Sequence, residues 1–127
     1  MKETTGRFLA KAERAIAAAQ GLLREGFTEF AAGRAYYAMF HVATALLNEK
    51  GHRFRKHGGV HGAFGTQFIR KGELDSKYHR WLLAAFDKRI AGDYGVDAVI
   101  TQNDVEDMIN QAQEFLREAR RYLGETS

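Results

Sequence analysis

The stretch TEFAAGRAYYAMFHVATALLNEKG, residues 28–51, is apolar on nearly every side when it is drawn as a helix. Two adjacent apolar faces run along it, the first made by Tyr36, Phe40, Ala43 and Leu47 and the second by Met39, Val42 and Leu46. A helix that is apolar nearly all round lies buried among other helices. We therefore predict that this segment, capped by Thr28 and ended by Gly51, is the central helix of the domain.

The other apolar residues also recur at intervals of three and four, and the chain has no proline to interrupt a helix. This spacing predicts a first helix that ends near Gly26 and a short, partly irregular helix between His57 and Lys71. It also predicts a helix that starts at Asp75 or Ser76 and is broken by the segment Gly92–Gly95, and a last helix opened by the capping pair Thr101 and Asp104. Short connections favour antiparallel neighbours. The predicted fold class is all-α, an up-and-down bundle of four main helices plus a short fifth helix, in one domain spanning residues 1–127.

The amino-acid composition excludes several classes of function. The 127 residues carry 19 Lys and Arg against 16 Asp and Glu, and the net charge of +3 permits contact with nucleic acid without demanding it. The absence of cysteine excludes disulfides, thiol chemistry and thiolate metal sites. The N-terminal residues alternate charged and apolar side chains, unlike a signal peptide or a membrane span. We expect a cytoplasmic protein with no membrane partner.

Polar residues on the central helix are the first candidates for chemistry. Arg34, Tyr37 and His41 share one face, because seven residues turn through nearly two full helical turns. Charged groups on an apolar helix are costly unless they are paired or face a cleft. One interpretation is a functional cleft. The other is structural, with Arg34 paired to a carboxylate such as Asp93 and His41 buried in the core.

Two further groups of residues stand out. Arg89 and Asp93 are four apart, as in a one-turn ion pair, and Tyr94 follows directly. His57 and His61 are one helical turn apart, as two metal ligands would be, but they lack the third ligand and the general-base Glu of metalloprotease helices. We therefore expect no metal. The glycines of this segment also lack the Lys-Ser/Thr ending of a phosphate-binding loop, and we expect no cofactor.

Four ordered pieces of the sequence resemble one family: RAYYAMFH at 34–41, KHGGV at 56–60, FDKRIAGDY at 86–94 and AQEFL at 112–116. Together they make the chain, from about Phe8 onward, similar to the small stand-alone HEPN proteins of bacteria and archaea. The resemblance implies a helical bundle that dimerises through its long helices.

The resemblance also implies two alternative functions. Many HEPN domains are metal-independent ribonucleases of toxin–antitoxin or defence systems, in which an Arg stabilises phosphorane charge and a His moves protons during attack by the 2′-hydroxyl of RNA. Others are non-catalytic modules that bind nucleotides or are partnered by a minimal nucleotidyltransferase, for which Tyr94 is a conceivable nucleotidylation acceptor.

The family's catalytic signature is an Arg followed, after four to six residues, by a His contributed by both protomers of a dimer. In this sequence the usual position of that signature falls at Arg89–Tyr94, where no His exists. Arg34 and His41, with six residues between them, fit the spacing on the earlier helix. The resemblance therefore implies that the candidate catalytic residues are Arg34, His41, Arg89, Asp93 and Tyr94.

Overall fold

A computed structural model of the protein describes residues 1–95 and 99–125. Its helices are α1 (Glu3–Arg24), α2 (Thr28–Glu49), α3 (His57–Phe64), α4 (Lys77–Tyr94) and α5 (Gln102–Tyr122). Over these ranges no residue lies in a strand, and α3 is much shorter than the other four. The all-α prediction of four main helices plus a short fifth is confirmed.

Side-chain contacts show that neighbouring helices run antiparallel. Thr5, at the start of α1, donates a hydrogen bond to Glu49 at the end of α2 over 2.8 Å. Between α1 and α5, Leu23 and Arg24 at the end of α1 line a shared groove with Glu106 near the start of α5. These contacts give the up-and-down arrangement expected for helices joined by short connections.

The central position predicted for α2 is confirmed. Its buried side chains pack against all the other long helices, and the largest of them are Tyr36, Met39, Leu46 and Leu47. One stripe of α2 nevertheless stays open, because Phe30 and Arg34 are exposed and Tyr37 and His41 are partly exposed. In the part of the chain that the structure describes, no helix is both long enough and apolar enough to cross a membrane.

Helix ends follow the predicted glycines more closely than the predicted caps. Gly26 and Gly51 have φ angles of 87° and 86°, in the left-handed region that glycine adopts without strain, just beyond α1 and α2. Thr28 is not a cap, since it is the first residue of α2 and Phe27 precedes it without a side-chain capping bond. The capping pair of α5 is confirmed, because Thr101 and Asp104 bond each other's backbone N–H groups.

The break predicted at Gly92–Gly95 is confirmed at the end of that segment, since Gly95 caps α4, but Gly92 itself does not end the helix. The helix continues through it to Tyr94. A Cβ at Gly92 would lie 3.0 Å from Ile100 Cδ1 and 3.4 Å from the carbonyl oxygen of Glu29. The glycine therefore serves close packing between α4 and the start of α2, and it stays within helical backbone geometry.

The predicted irregularity of the third helix is also confirmed. After Phe64, α3 continues directly into a π-helical turn at Gly65–Ile69. His79 of α4 lies over Gly65, where a Cβ would be 3.0 Å from the ring atom Cε1. His79 also hydrogen-bonds the carbonyl oxygen of His61 over 3.0 Å. His79 thus connects α4 to the end of α3 and to the π-helical turn that follows it.

Candidate functional site

The open stripe of α2 forms one wall of a groove whose other wall is α1. The groove has a volume of about 580 Å³. Its lining consists of Arg7, Ala10, Lys11, Arg14, Ala15, Ala18, Arg34, Tyr37 and His41. Arginine and lysine side chains thus come from both helices, and no carboxylate lines the groove. Such a lining suits a ligand that carries several negative charges.

His41 lies in this groove and not in the core. Burial, followed by the nearby charges of Lys11 and Arg34, lowers the pKa of His41 to about 4. The imidazole is therefore neutral near pH 7 and can accept a hydrogen bond, although its lowered pKa makes it a weak base. The structural interpretation of His41 as a core histidine is wrong, because half-exposed His41 lines the groove together with Arg34.

Tyr37 connects the groove to α4. The guanidinium carbon of Arg34 lies 4.9 Å from the centre of the Tyr37 ring, and that of Arg89 lies 5.2 Å from the same centre. Cations at this distance from an aromatic ring are attracted to its electron-rich face. Arg34 and Arg89, predicted from separate parts of the sequence, therefore meet at one side chain.

Asp93 pairs with Arg89 and not with Arg34. Asp93 Oδ2 lies 3.2 Å from Arg89 Nε, one helical turn away. The one-turn ion pair is thus confirmed, and the suggested pairing of Arg34 with Asp93 is wrong, because the ion pairs of the described residues include none between these two side chains. The side chain of Tyr94, the fifth candidate, lies outside the described part of the structure.

The sequence did not reveal a polar cluster behind Tyr37. The hydroxyl oxygen of Tyr36 lies 2.7 Å from His57 Nδ1 and 2.7 Å from His61 Nε2. Tyr36 is fully buried, His61 is 8% exposed and His57 is partly exposed. The one-turn spacing of the two histidines was visible, but nothing in it indicated that their common partner is a phenol.

Burial and charge keep these histidines neutral. Burial lowers the pKa of His57, and the charge of Arg89 lowers it further. Burial is also the main cause of the lowered pKa of His61, with Asp87 acting in the opposite direction. Within residues 1–95 and 99–125, no three His, Cys, Asp or Glu side chains cluster as metal ligands would.

Comparison with known protein families identifies the family of this helical bundle. The chain belongs to the HEPN domain family, whose model matches residues 5–122. The resemblance drawn from the sequence pieces is therefore confirmed.

Particular relatives include two proteins of Methanocaldococcus jannaschii, each named "Putative toxin". One is 31% identical over 122 residues, which are 96% of this chain and 83% of the relative. The other is 32% identical over 125 residues, 98% of this chain and 92% of the relative. A protein of Thermotoga maritima, named UPF0332 protein, is 36% identical over 95 residues, 75% of this chain and 72% of that protein.

Proposed function

We propose that this protein is a toxin-type HEPN protein that binds RNA in the groove between α1 and α2 and cleaves it. The observation that carries the proposal is the composition of the groove, in which Arg7, Lys11, Arg14 and Arg34 face a common space without a carboxylate in the lining. Relatives named as toxins, covering most of both chains, support the same class of function.

RNA fits this groove better than a small anion does. Its basic side chains lie along α1 at intervals of three and four residues, so they follow one another along the helix and can contact successive phosphates. Tyr37 offers an aromatic surface beside them, on which an unpaired base can stack. Phosphates supply the binding energy in such complexes, and stacking favours single strands.

The site also contains the groups that metal-independent RNA cleavage requires. A guanidinium stabilises the negative charge that develops on phosphorus oxygens, and a neutral imidazole accepts the proton of the attacking 2′-hydroxyl. Arg34 and Arg89 offer the guanidinium, and the neutral histidines around Tyr37 offer the imidazole. Cleavage by this route yields a 2′,3′-cyclic phosphate and a 5′-hydroxyl.

The binding part of the proposal is tested by charge reversal in the groove. Fluorescence anisotropy with a short single-stranded RNA should give a Kd that rises steeply with salt. The double variant Lys11→Glu/Arg14→Glu should bind much more weakly and flatten the slope of log K against log salt by about 1.4, or about 0.7 for each lost phosphate contact. The variant should also relieve any growth arrest that the wild type causes when it is expressed in bacteria.

Arg117→Glu is the matched control, because Arg117 is exposed on α5 and does not line the groove. It should change the Kd by less than about threefold at moderate salt, where distant surface charges are screened. Equal losses in both variants would contradict binding in the groove. A protein that binds no RNA but forms a stable complex with a nucleotidyltransferase would favour the partnered, non-catalytic alternative.

A further inference from the structure

We propose that His57, which contacts Tyr37 from outside the lining of the groove, is the proton-transfer group of the proposed RNA cleavage and that Arg89 is its guanidinium partner. The Arg–His pair that is absent along α4 is then formed between α3 and α4. This inference rests on the proposed RNA cleavage, and it assigns that chemistry to residues that the spacing of the sequence does not connect.

Arg89 and His57 lie against the same two aromatic rings. The guanidinium carbon of Arg89 is 5.2 Å from the centre of the Tyr37 ring and 6.0 Å from that of Tyr36. The His57 ring centre is 5.7 Å from each of these rings. Arg89 also packs near Gly33, where a Cβ would lie in ordinary van der Waals contact with Arg89 Cγ at 3.9 Å. Arg89 and His57 thus share Tyr36 and Tyr37 as neighbours.

The hydrogen bond to Tyr36 fixes how His57 can be used. His57 Nδ1 is engaged by the Tyr36 hydroxyl over 2.7 Å, whereas its Nε2 has no hydrogen-bond partner in the described part of the chain. The ring is partly exposed. A third group that holds one imidazole nitrogen and leaves the other for the substrate is the arrangement that orients catalytic histidines. His61 cannot take this role, because it is buried and its Nε2 already faces Tyr36.

The phenol between the two histidines also allows a proton to move. Tyr36 has one hydroxyl hydrogen, so it donates to one histidine while it accepts an N–H from the other. When Tyr36 donates to His61, His57 carries its hydrogen on Nδ1 and its Nε2 is a base. When Tyr36 donates to His57, the hydrogen of that ring lies on Nε2, which is then an acid.

This relay accounts for every proton that moves in the reaction. His57 Nε2 takes the proton of the 2′-hydroxyl as its oxygen forms a bond to phosphorus, and the His57 Nδ1 proton passes to Tyr36 while the Tyr36 proton passes to His61. The bond from phosphorus to the 5′-oxygen then breaks, and reverse transfer delivers one proton from His57 Nε2 to that oxygen. No oxidant, reductant or co-reactant is consumed, and Arg89 stabilises the charge on the phosphoryl oxygens.

Burial opposes a positive charge on both histidines and is the largest cause of their lowered pKa, and among the neighbouring charges only Asp87 favours a proton on His61. Arg89 lies near His57 and opposes a positive charge there, whereas Asp87 favours a positive charge on His61. His79 and His57 oppose it at His61. Storage of the proton on the deeper histidine therefore keeps a second cation away from Arg89 during phosphodiester attack.

Replacement of His57 separates this role from that of His41. In His57→Asn the amide can still bond Tyr36 but no atom replaces Nε2, so the rate of single-turnover RNA cleavage should fall at least 100-fold while the Kd for RNA changes less than threefold. His52→Asn is the matched control, because His52 lies in the connection between α2 and α3 and belongs neither to the groove lining nor to the Tyr36 cluster, and it should keep its rate within about twofold. Equal rates in wild type and His57→Asn, or complete loss only in His41→Asn, would overturn the assignment.

Tyr36 is a positioning residue in this scheme. In Tyr36→Phe the ¹⁵N chemical shifts of His57 should change from one dominant tautomer to a mixture, and the cleavage rate should fall about tenfold. A purely structural role for Tyr36 would reduce stability but leave the His57 tautomer and the rate of the folded protein unchanged.

A binding measurement keeps the assignment falsifiable if the wild type cleaves no RNA, a result that would by itself refute the proposed cleavage. Inorganic phosphate, titrated into ¹⁵N-labelled protein, should shift the His57 imidazole resonances, and Arg89→Gln should abolish that shift. A response confined to His41 would overturn the pairing of Arg89 with His57.

Discussion

The hydroxyl of Tyr36 carries polar contacts between α2 and α3, since it lies 2.7 Å from nitrogen atoms of both His57 and His61. Its removal would leave the buried His61 Nε2 without its partner. Tyr36→Phe should therefore reduce the free energy of unfolding by about 1–3 kcal/mol, the cost of an unsatisfied buried polar group. Urea denaturation followed by circular dichroism measures the change.

Tyr37→Phe is the control for this prediction. The Tyr37 hydroxyl makes no hydrogen bond within the described residues, and the ring that contacts Arg34 and Arg89 is retained in the variant. We expect its free energy of unfolding to match that of the wild type within about 0.5 kcal/mol. Equal stability of the two variants would show that the Tyr36 cluster contributes nothing.

Three histidines with lowered pKa values make the fold sensitive to acid. Burial is the main cause for His41, whose pKa falls to about 4, and it also lowers the pKa of His57 and His61. Each of them binds protons more readily in the unfolded chain, where the pKa is about 6.5. The neutral histidines therefore contribute to stability, fully so when the pH is above about 6.5. This contribution to stability is lost as the pH falls toward the lower pKa of the folded state.

The free energy of unfolding should therefore decrease when the pH is lowered from 7 to 5. In His41→Asn the free energy of unfolding should decrease less between these two pH values, because residue 41 no longer takes up a proton when the protein unfolds. Denaturant titrations of both proteins at the two pH values provide the comparison. A wild-type stability that rises on acidification would show that the histidines are not held neutral.

At the residue scale, the sequence was informative where helical spacing alone decides the outcome. Arg34, Tyr37 and His41 do share the open face of α2, and Arg89 does pair with Asp93. The meeting of Arg34 and Arg89 at Tyr37, and of Tyr36 with His57, depends on how α2 packs against α3 and α4. Spacing within one helix carries no information on such contacts between helices.

At the scale of elements, the glycines of the third helix have different roles. A Cβ at Gly62, in α3, would have no atom within 4 Å outside its own helix, whereas a Cβ at Gly65 would press on the His79 ring at 3.0 Å. Gly62→Ala should stabilise the protein by about 0.5–1 kcal/mol, because alanine loses less backbone freedom in a helix. Gly65→Ala should destabilise it by about 1–3 kcal/mol through overpacking.

Thermal unfolding of the two variants tests this contrast. Their melting temperatures should move in opposite directions from that of the wild type. A shift of the same sign in both would mean that the π-helical turn at Gly65–Ile69 yields to the added methyl group, so that the His79 contact does not constrain it.

The same contrast explains which elements the sequence predicted well. The helix ends at Gly26 and Gly51 were predicted, because a glycine beyond an apolar periodic segment is a reliable stop signal. The helix continues through Gly92, and the sequence could not show this. A glycine required for close packing inside a helix looks the same in the sequence as one that ends the helix. Only the packing partner, here Glu29 of α2, distinguishes the two.

At the scale of the whole molecule, we propose that the protein self-associates through exposed aromatic side chains at the start of α2, beside the groove and not across it. Phe27 and Phe30, at the start of this helix, are 47% and 56% exposed and lie with ring centres 6.4 Å apart. Neighbouring exposed aromatic rings are typical of protein interaction surfaces. Phe30 precedes Arg34 by one turn on the same face, so a second copy docked there would adjoin the groove.

Sedimentation velocity should therefore give the mass of a dimer for the wild type and a monomer for Phe30→Asp. Phe54→Asp is the control, because Phe54 is 42% exposed in the connection between α2 and α3 and lies away from the start of α2. A wild type that stays monomeric at high concentration, or a Phe30→Asp variant that stays dimeric, would contradict this interface.

The fold could be predicted because patterns of three and four residues specify helices and the face that each one buries. From the sequence, only the class of function could be predicted, through the family resemblance. The groove could not be predicted, because it forms only where α1 and α2 pack together. None of the basic residues on α1 stood out in the sequence, because exposed Arg and Lys are common on helices. Their alignment with Arg34 is a property of the whole bundle.

Analysis of RNA ends after incubation with purified wild-type protein in EDTA tests the central claim most directly. Cleavage of a single-stranded RNA into fragments with 2′,3′-cyclic phosphate and 5′-hydroxyl ends, and its loss in the variant Arg34→Glu/Arg89→Glu, is the predicted result. RNA that stays intact at protein concentrations where it is fully bound, or cleavage that persists in that double variant, would contradict it.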